Sequence, residues 1–227
     1  MKAMILAAGR GERMRPLTDS VPKPLLPVGG KPLIVWHIER LAEAGLRDIV
    51  INHAHLGDRI EAALGNGSRF GVSIVYSPEG EALETAGGIA QALPLLGDAP
   101  FLVVNGDIYA DYDFSGAESK LDADKLAHLV LVDNPPQHPH GDFAYDGVRL
   151  LAEGAHKLTF SGIGVYRPEL FSAIVRGSKA KLAPLLSDAI AQGRATAEHF
   201  FGRWVDVGTP QRLHELDMLL QTESSKS

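Results

Sequence analysis

Leu6-Ala7-Ala8-Gly9-Arg10-Gly11-Glu12-Arg13-Met14, continuing through Pro16-Leu17-Thr18 to Pro22-Lys23-Pro24-Leu25, grows out of the short apolar run Ala3–Leu6. A strand that ends in such a loop exposes backbone N–H groups beside fixed positive charge. The glycines can take positive φ and let a bulky anion approach the main chain, where successive N–H groups form a concave nest. Arg13 can fork onto two phosphate oxygens, and Lys23 is a compact charge held between two prolines. Polyphosphate is the ligand this chemistry suits.

Two better-known phosphate motifs are excluded by their own spacing. A P-loop needs a hydroxyl after its Gly-Lys, and Gly30-Lys31 is followed by Pro32. The dinucleotide fingerprint begins well at Gly9 and Gly11, but its third glycine falls on Met14.

Outward from the loop, apolar β-rich runs recur at Ala3–Leu6, Ile49–Asn52, Val72–Tyr76 and Phe101–Asn105. Between them lie the helix-like stretches Pro32–Ala44, Leu56–Leu64 and Gly87–Leu93. Alternation of this kind predicts a single α/β domain with a Rossmann-like, doubly wound and mostly parallel sheet, its site at the carboxyl ends of the strands. Trp36 and His37, on an amphipathic helix, read as packing residues. From Asp111 to His156 the pattern loosens, and the run Asn134-Pro135-Pro136-Gln137-His138-Pro139-His140-Gly141 breaks regular structure. An inserted sugar-binding lobe of about 111–160 is expected there. Regular elements then resume with Lys157–Tyr166, Glu169–Val175, Lys181–Gln192, Thr196–Phe201 and a last helix from Pro210 to Leu220. The expected catalytic domain is 1–221, with a polar tail at 222–227.

Composition narrows the class. The 227 residues are 45% hydrophobic and 22% charged with net charge −6, which argues against a nucleic-acid surface. The absence of cysteine removes disulfide, thiolate-metal and cysteine-nucleophile chemistry. No apolar run approaches membrane length, and the first residues lead straight into the glycine loop, so a cytoplasmic protein with no membrane partner is expected. The pairs His53-x-His55 and His138-x-His140 lack the further ligands a zinc site needs.

The pattern of Leu6 to Leu25 resembles the signature of the sugar nucleotidyltransferases, L-A-A-G-x-G-x-R-M-x-P-L-T followed by P-K-P-L. Two later elements extend the resemblance: Phe101-Leu102-Val103-Val104-Asn105-Gly106-Asp107, and Trp204-Val205-Asp206-Val207-Gly208-Thr209-Pro210. It implies that Asp107 and Asp206 bind Mg²⁺, an ion that keeps open positions for phosphate oxygens. Arg13 and Lys23 are then the catalytic cations. Leu6, Ala7, Gly9, Gly11, Glu12, Glu81, Leu83 and Thr85 join them in the nucleotide site, and Asn105, Gly141, Glu153, Ser161 and Gly162 contact the sugar.

Glu81-Ala82-Leu83-Glu84-Thr85-Ala86-Gly87-Gly88 is similar to the family element E-P-L-G-T-A-G, with Glu84 in place of a glycine. The L-E-T form resembles that of bacterial N-acetylmuramate-1-phosphate uridylyltransferases of peptidoglycan recycling, and of some related heptose and mannose enzymes. Glu84 can equally be a first-turn helical residue favoured by the dipole. The family's E-K-P element is reduced here to Glu153-Gly154-Ala155, without its lysine, and Lys157 is displaced from that place. The resemblance therefore implies a nucleoside triphosphate, UTP, joined to a sugar 1-phosphate, N-acetylmuramate 1-phosphate, with release of pyrophosphate; a monomer is expected over an oligomer. A mannose-1-phosphate guanylyltransferase, a phosphocholine cytidylyltransferase and a nucleotide-sugar-sensing regulatory subunit remain alternatives.

Overall fold

The computed structural model describes residues 1–151 and 153–224. Its strands are β1 (Lys2–Leu6), β2 (Pro27–Val28), β3 (Lys31–Pro32), β4 (Asp48–His53), β5 (Ser73–Pro78), β6 (Phe101–Asn105), β7 (Ile108–Ala110), β8 (Ala127–Val132), β9 (Phe143–Tyr145), β10 (Leu150–Leu151), β11 (Lys157–Tyr166), β12 (Ala195–His199) and β13 (Trp204–Asp206). The helices are α1 (Leu33–Glu43), α2 (Gly57–Leu64), α3 (Glu84–Leu96), α4 (Leu182–Ala191) and α5 (Pro210–Ser224).

The main sheet runs β12-β8-β11-β6-β1-β4-β5, in which β11 alone opposes its neighbours. The expected mixed α/β domain with a mostly parallel sheet is therefore present. Strand alternation divides the core. Ala3 and Ile5 pack with Ile34, Ile38 and Leu41 of α1 and Ile60 of α2. Met4, Phe101 and Val103 pack on the other face with Ile89 of α3 and Leu186 of α4. Helices on both faces explain why these strands read as continuous apolar runs. The chain leaves β1 toward β4 and β5, then crosses back to β6, so the loops after β1 and β6 diverge at a topological switch point.

Several boundaries differ from the sequence reading. Pro32 caps α1 and is not its first residue, and Gly45, at φ +81°, turns the chain just past the helix. Helix α3 is longer than Gly87–Leu93, and in place of an element over Glu169–Val175 there is a short 3₁₀ turn at Pro168–Phe171. The polar tail begins inside α5, which continues to Ser224, and 225–227 lie outside the described residues.

The main correction concerns the stretch of about 111–160. Ala127–Val132 within it is a fully buried strand, parallel to β12 and antiparallel to β11. What stands beside the main sheet is the smaller β9–β10 hairpin, joined to the start of β11. Trp36 and His37 do pack as expected. Trp36 donates to the Val28 carbonyl at 3.0 Å, and His37 donates through Nε2 to the Ile108 carbonyl at 2.8 Å. Burial lowers the His37 pKa to about 4, so the ring is neutral near neutrality.

Candidate active site

A cavity of about 520 Å³ opens at the carboxyl ends of β1, β4 and β6. One wall is the glycine loop. Gly11 has φ +65°, and a Cβ there would lie 2.9 Å from Thr18 and 3.1 Å from Lys23, so only glycine lets the loop close. The Thr18 hydroxyl and the Met14 N–H both donate to the Gly11 carbonyl at 2.8 Å. The N–H groups of Gly9, Arg10 and Gly11 have no partner among the described residues, and they form the donor-rich rim expected for an anion.

The second wall contains a hydrogen-bonded chain that the sequence reading missed. Leu6 is registered against Asn52 on one side and Asn105 on the other. Buried Asn52 accepts from the Ala7 N–H at 2.9 Å and donates to Glu79 at 2.6 Å. The other Glu79 oxygen accepts from the Leu83 N–H at 2.8 Å. Burial pushes the Glu79 carboxyl up, against the lowering effect of those two hydrogen bonds. A Cβ on Gly88 would lie 2.5 Å from Glu79 and 2.8 Å from Asn52, so the second glycine of the Ala86-Gly87-Gly88 run makes room for this network.

The expected nucleotide residues divide accordingly. Leu6, Ala7, Gly9, Gly11, Glu12, Arg13, Lys23 and Thr85 line the cavity. Glu81 does not: Gly80, at φ +70°, turns the chain, and Glu81 faces Lys179 at 3.2 Å in solvent while Glu79 stands in the wall. Leu83 is buried and shapes the wall from behind. Glu84 lines the cavity with a backbone φ of +63°.

The two aspartates meet as expected, although they are far apart in sequence. Gly106 permits it on one side. Its N–H bonds the Leu6 carbonyl at 2.8 Å, and a Cβ would lie 2.7 Å from that oxygen, so β6 ends tight against β1 and Asp107 projects at the mouth. On the other side β13 pairs antiparallel with β7, and the Val207 N–H donates to the Asp107 carbonyl at 3.0 Å. Each carboxylate faces a cation. Lys23, buried to 7% exposure, donates to Asp107 Oδ2 at 2.7 Å, and Arg212, absent from the sequence reading, donates to Asp206. Around the vacant side-chain position of Gly208 converge Arg212, the second Asp206 oxygen and the Arg13 guanidinium, 2.5, 3.1 and 3.2 Å from where a Cβ would sit. Arg13 itself has no ion-pair or hydrogen-bond partner among the described residues.

Asp107 and Asn105 also line an adjoining cavity of about 280 Å³, together with Asp206, Ser161, Thr159 and Trp204. Trp204 donates to the Ser161 carbonyl at 2.8 Å, fastening β13 to the bulge in β11. Gly162, at φ +84°, lies so close to Asn105 that a Cβ would be 2.5 Å from its amide, so it positions Asn105 without lining the cavity. Gly141 is likewise a turn residue, at φ +60°. It precedes Asp142, whose two oxygens pair with His138 at 3.1 Å and accept from the Phe160 N–H at 2.8 Å. Glu153 departs from expectation: it lies at the hairpin end, 87% exposed and paired with Lys157 at 2.8 Å, away from both cavities.

Comparisons with known proteins agree with this geometry. The family model described as nucleotidyl transferase matches residues 2–223. An N-acetylmuramate alpha-1-phosphate uridylyltransferase of Neisseria meningitidis is 59% identical over 226 residues, covering 96% of this chain and 98% of that protein. A protein of the same name from Caulobacter vibrioides is 34% identical, with 92% of each chain covered. HddC from Yersinia pseudotuberculosis, solved with GMP-PN, shares the fold at TM-score 0.77 and 22% identity, over 96% of this chain and 98% of that one. The chain belongs to the nucleotidyl transferase family.

Proposed function

We propose that this nucleotidyltransferase joins UTP to N-acetylmuramate 1-phosphate, releasing pyrophosphate, as a step of peptidoglycan recycling. What carries the reaction class is the unpartnered Arg13 and buried Lys23 in one cavity with Asp107, which also lines the adjoining cavity together with Asp206. The 59% identity to the Neisseria meningitidis enzyme supports the choice of base and sugar.

In this reading an oxygen of the sugar phosphate attacks the α-phosphorus, the bond to the bridging oxygen of the β-phosphate breaks, and pyrophosphate departs. No protein nucleophile is required. Arg13 and the free N–H groups at Gly9 to Gly11 hold the departing phosphates, and Lys23 offsets charge at the α-phosphate. The sugar lies over Asn105, Ser161 and Trp204, beside the segment that carries Gln137, His138 and Asp142. Asp107 and Asp206 suit Mg²⁺, being carboxylates that line one cavity together. When bound, the ion would neutralise phosphate charge and help align the two substrates.

Among the described residues no helix is long and apolar enough to cross a membrane. The working assignment is a cytoplasmic monomer without nucleic-acid or membrane partners. A panel of nucleoside triphosphates and sugar 1-phosphates, scored by pyrophosphate release with Mg²⁺, tests the proposal. UTP with N-acetylmuramate 1-phosphate is expected to give the highest kcat/KM. Better use of glucose or mannose 1-phosphate would remove the sugar assignment, and better use of GTP or CTP the base.

A further inference from the structure

Cations line the cavity at its glycine-loop side, through Arg13 and Lys23. The opposite end, formed by Asn52, Glu79, Ala82, Glu84 and Thr85, has carboxylates and no cation, so a neutral nucleoside belongs there and the triphosphate at the other end. Three glutamates lie in this region, and they are not equivalent. Each Glu79 oxygen accepts a hydrogen bond, from Asn52 or from the Leu83 N–H, which ties that carboxylate into the wall, and Glu81 is turned away toward Lys179. Glu84 alone of the three has no hydrogen-bond or ion-pair partner among the described residues.

The backbone at Glu84 adds a second observation. Its φ of +63° is in the left-handed region, where a long side chain is disfavoured and glycine is the relaxed choice. Apart from Leu56, no other described non-glycine residue has positive φ. Strain of this kind at the wall of a binding cavity points to a side chain that is needed there.

We infer that Glu84 determines base specificity, its carboxylate accepting a hydrogen bond from a ring N–H of the nucleobase. The inference rests on the proposed nucleotide site. An ionised carboxylate accepts and cannot donate. Uracil presents a donor at N3, and guanine presents one at N1. Cytosine N3 and adenine N1 present lone pairs instead, which would face the carboxylate without a proton between them. Glu84 thus favours bases whose Watson–Crick ring nitrogen carries a proton, uracil and guanine, over cytosine and adenine, and leaves discrimination by size to the rest of the wall.

The test compares kcat/KM for UTP, CTP and dUTP in the wild type, Glu84→Gln and Glu84→Gly, each with the sugar 1-phosphate the wild type uses best. Glutamine can present either an oxygen or an N–H, so the UTP-to-CTP preference is expected to fall by about tenfold or more in Glu84→Gln. Glycine should lower the same preference while raising Tm, because it relieves the backbone. A UTP-to-CTP preference within about twofold of wild type in both variants would overturn the inference, since it is below the loss of one net hydrogen bond. So would a change confined to UTP against dUTP, which would assign the carboxylate to the ribose 2′-hydroxyl. A wild-type enzyme that works best with CTP would refute the proposed base before any variant is made, so the two failures are distinguishable.

Discussion

Replacing Asp107 with asparagine tests the centre of the site, because it removes one charge and almost no volume. Lys23 Nζ lies 2.7 Å from Asp107 Oδ2, with the lysine side chain 7% exposed and the aspartate 42% exposed. Breaking a fully buried ion pair by removing one partner costs about 3–5 kcal/mol, whereas an exposed pair contributes about 0–1 kcal/mol. This pair has one buried and one half-open member, so the cost expected for Asp107→Asn is about 2 kcal/mol, most of it the burial of an ammonium without its partner. For a chain of this size that lowers Tm by about 4–8 °C, read by calorimetry. Adding Lys23→Met to Asp107→Asn removes the stranded charge and should recover about half of the loss, which a double-mutant cycle measures directly. Pyrophosphate release should fall by about 10²–10³ in kcat/KM at temperatures where the variant is folded. Near-normal turnover in folded Asp107→Asn would refute the place of Asp107 in catalysis. An unchanged Tm would refute the energetic reading of the pair.

Three other perturbations separate binding from folding. Arg13→Ala should lower kcat/KM by about 10²–10³. Its Tm should stay at the wild-type value in the same melts, because the guanidinium has no ion-pair or hydrogen-bond partner to lose. Gly106→Ala forces a Cβ to 2.7 Å from the Leu6 carbonyl oxygen, so β1 and β6 must part; the expected cost is about 1–3 kcal/mol, measured by urea unfolding. Glu198 is held down from 4.5 to about 2 by the His128 imidazole, the Lys120 ammonium at 2.6 Å and the Tyr112 hydroxyl. Since its folded pKa lies below its unfolded one, its contribution is fully present above pH 4.5 and is lost as pH falls toward 2. Glu198→Gln should therefore be less stable than wild type at pH 7, and the gap between their urea midpoints should close across that acidic window.

What could be read from the residues alone was whatever is local in the chain. The glycine loop carries its charges and its turns within twenty-odd positions, so the loop whose Arg13 and Lys23 line the cavity could be picked out from the residues, whereas Asp107 and Asp206 came only from the resemblance of their surroundings to family motifs. Strand Ala127–Val132 was not, because a strand buried on both faces has no alternation, and it lies between polar loops that look irregular. Asn52 was missed for a different reason. It is a polar residue ending an apolar strand, and only the parallel register Leu6↔Asn52 brings it under the Ala7 N–H.

Glu79 and Glu81 give the sharper lesson, because both are glutamates in one short turn. Counting along the chain favours Glu81, which matches the family element. The structure puts Glu79 in the wall, and the reason is a single backbone angle: Gly80 at φ +70° reverses the chain, so Glu81 leaves toward Lys179. Glycine 88 then lets Glu79 and Asn52 approach to distances no side chain there would allow. The approach of Asn52 and Glu79 at that end of the cavity was therefore hidden behind two glycines whose consequences are geometric. A one-letter motif records the glycines and cannot record which neighbour each one admits. The Arg13 and Lys23 end depends on charges, which are written in the sequence itself, and that difference is why its residues could be named in advance while the Asn52 and Glu79 wall required coordinates.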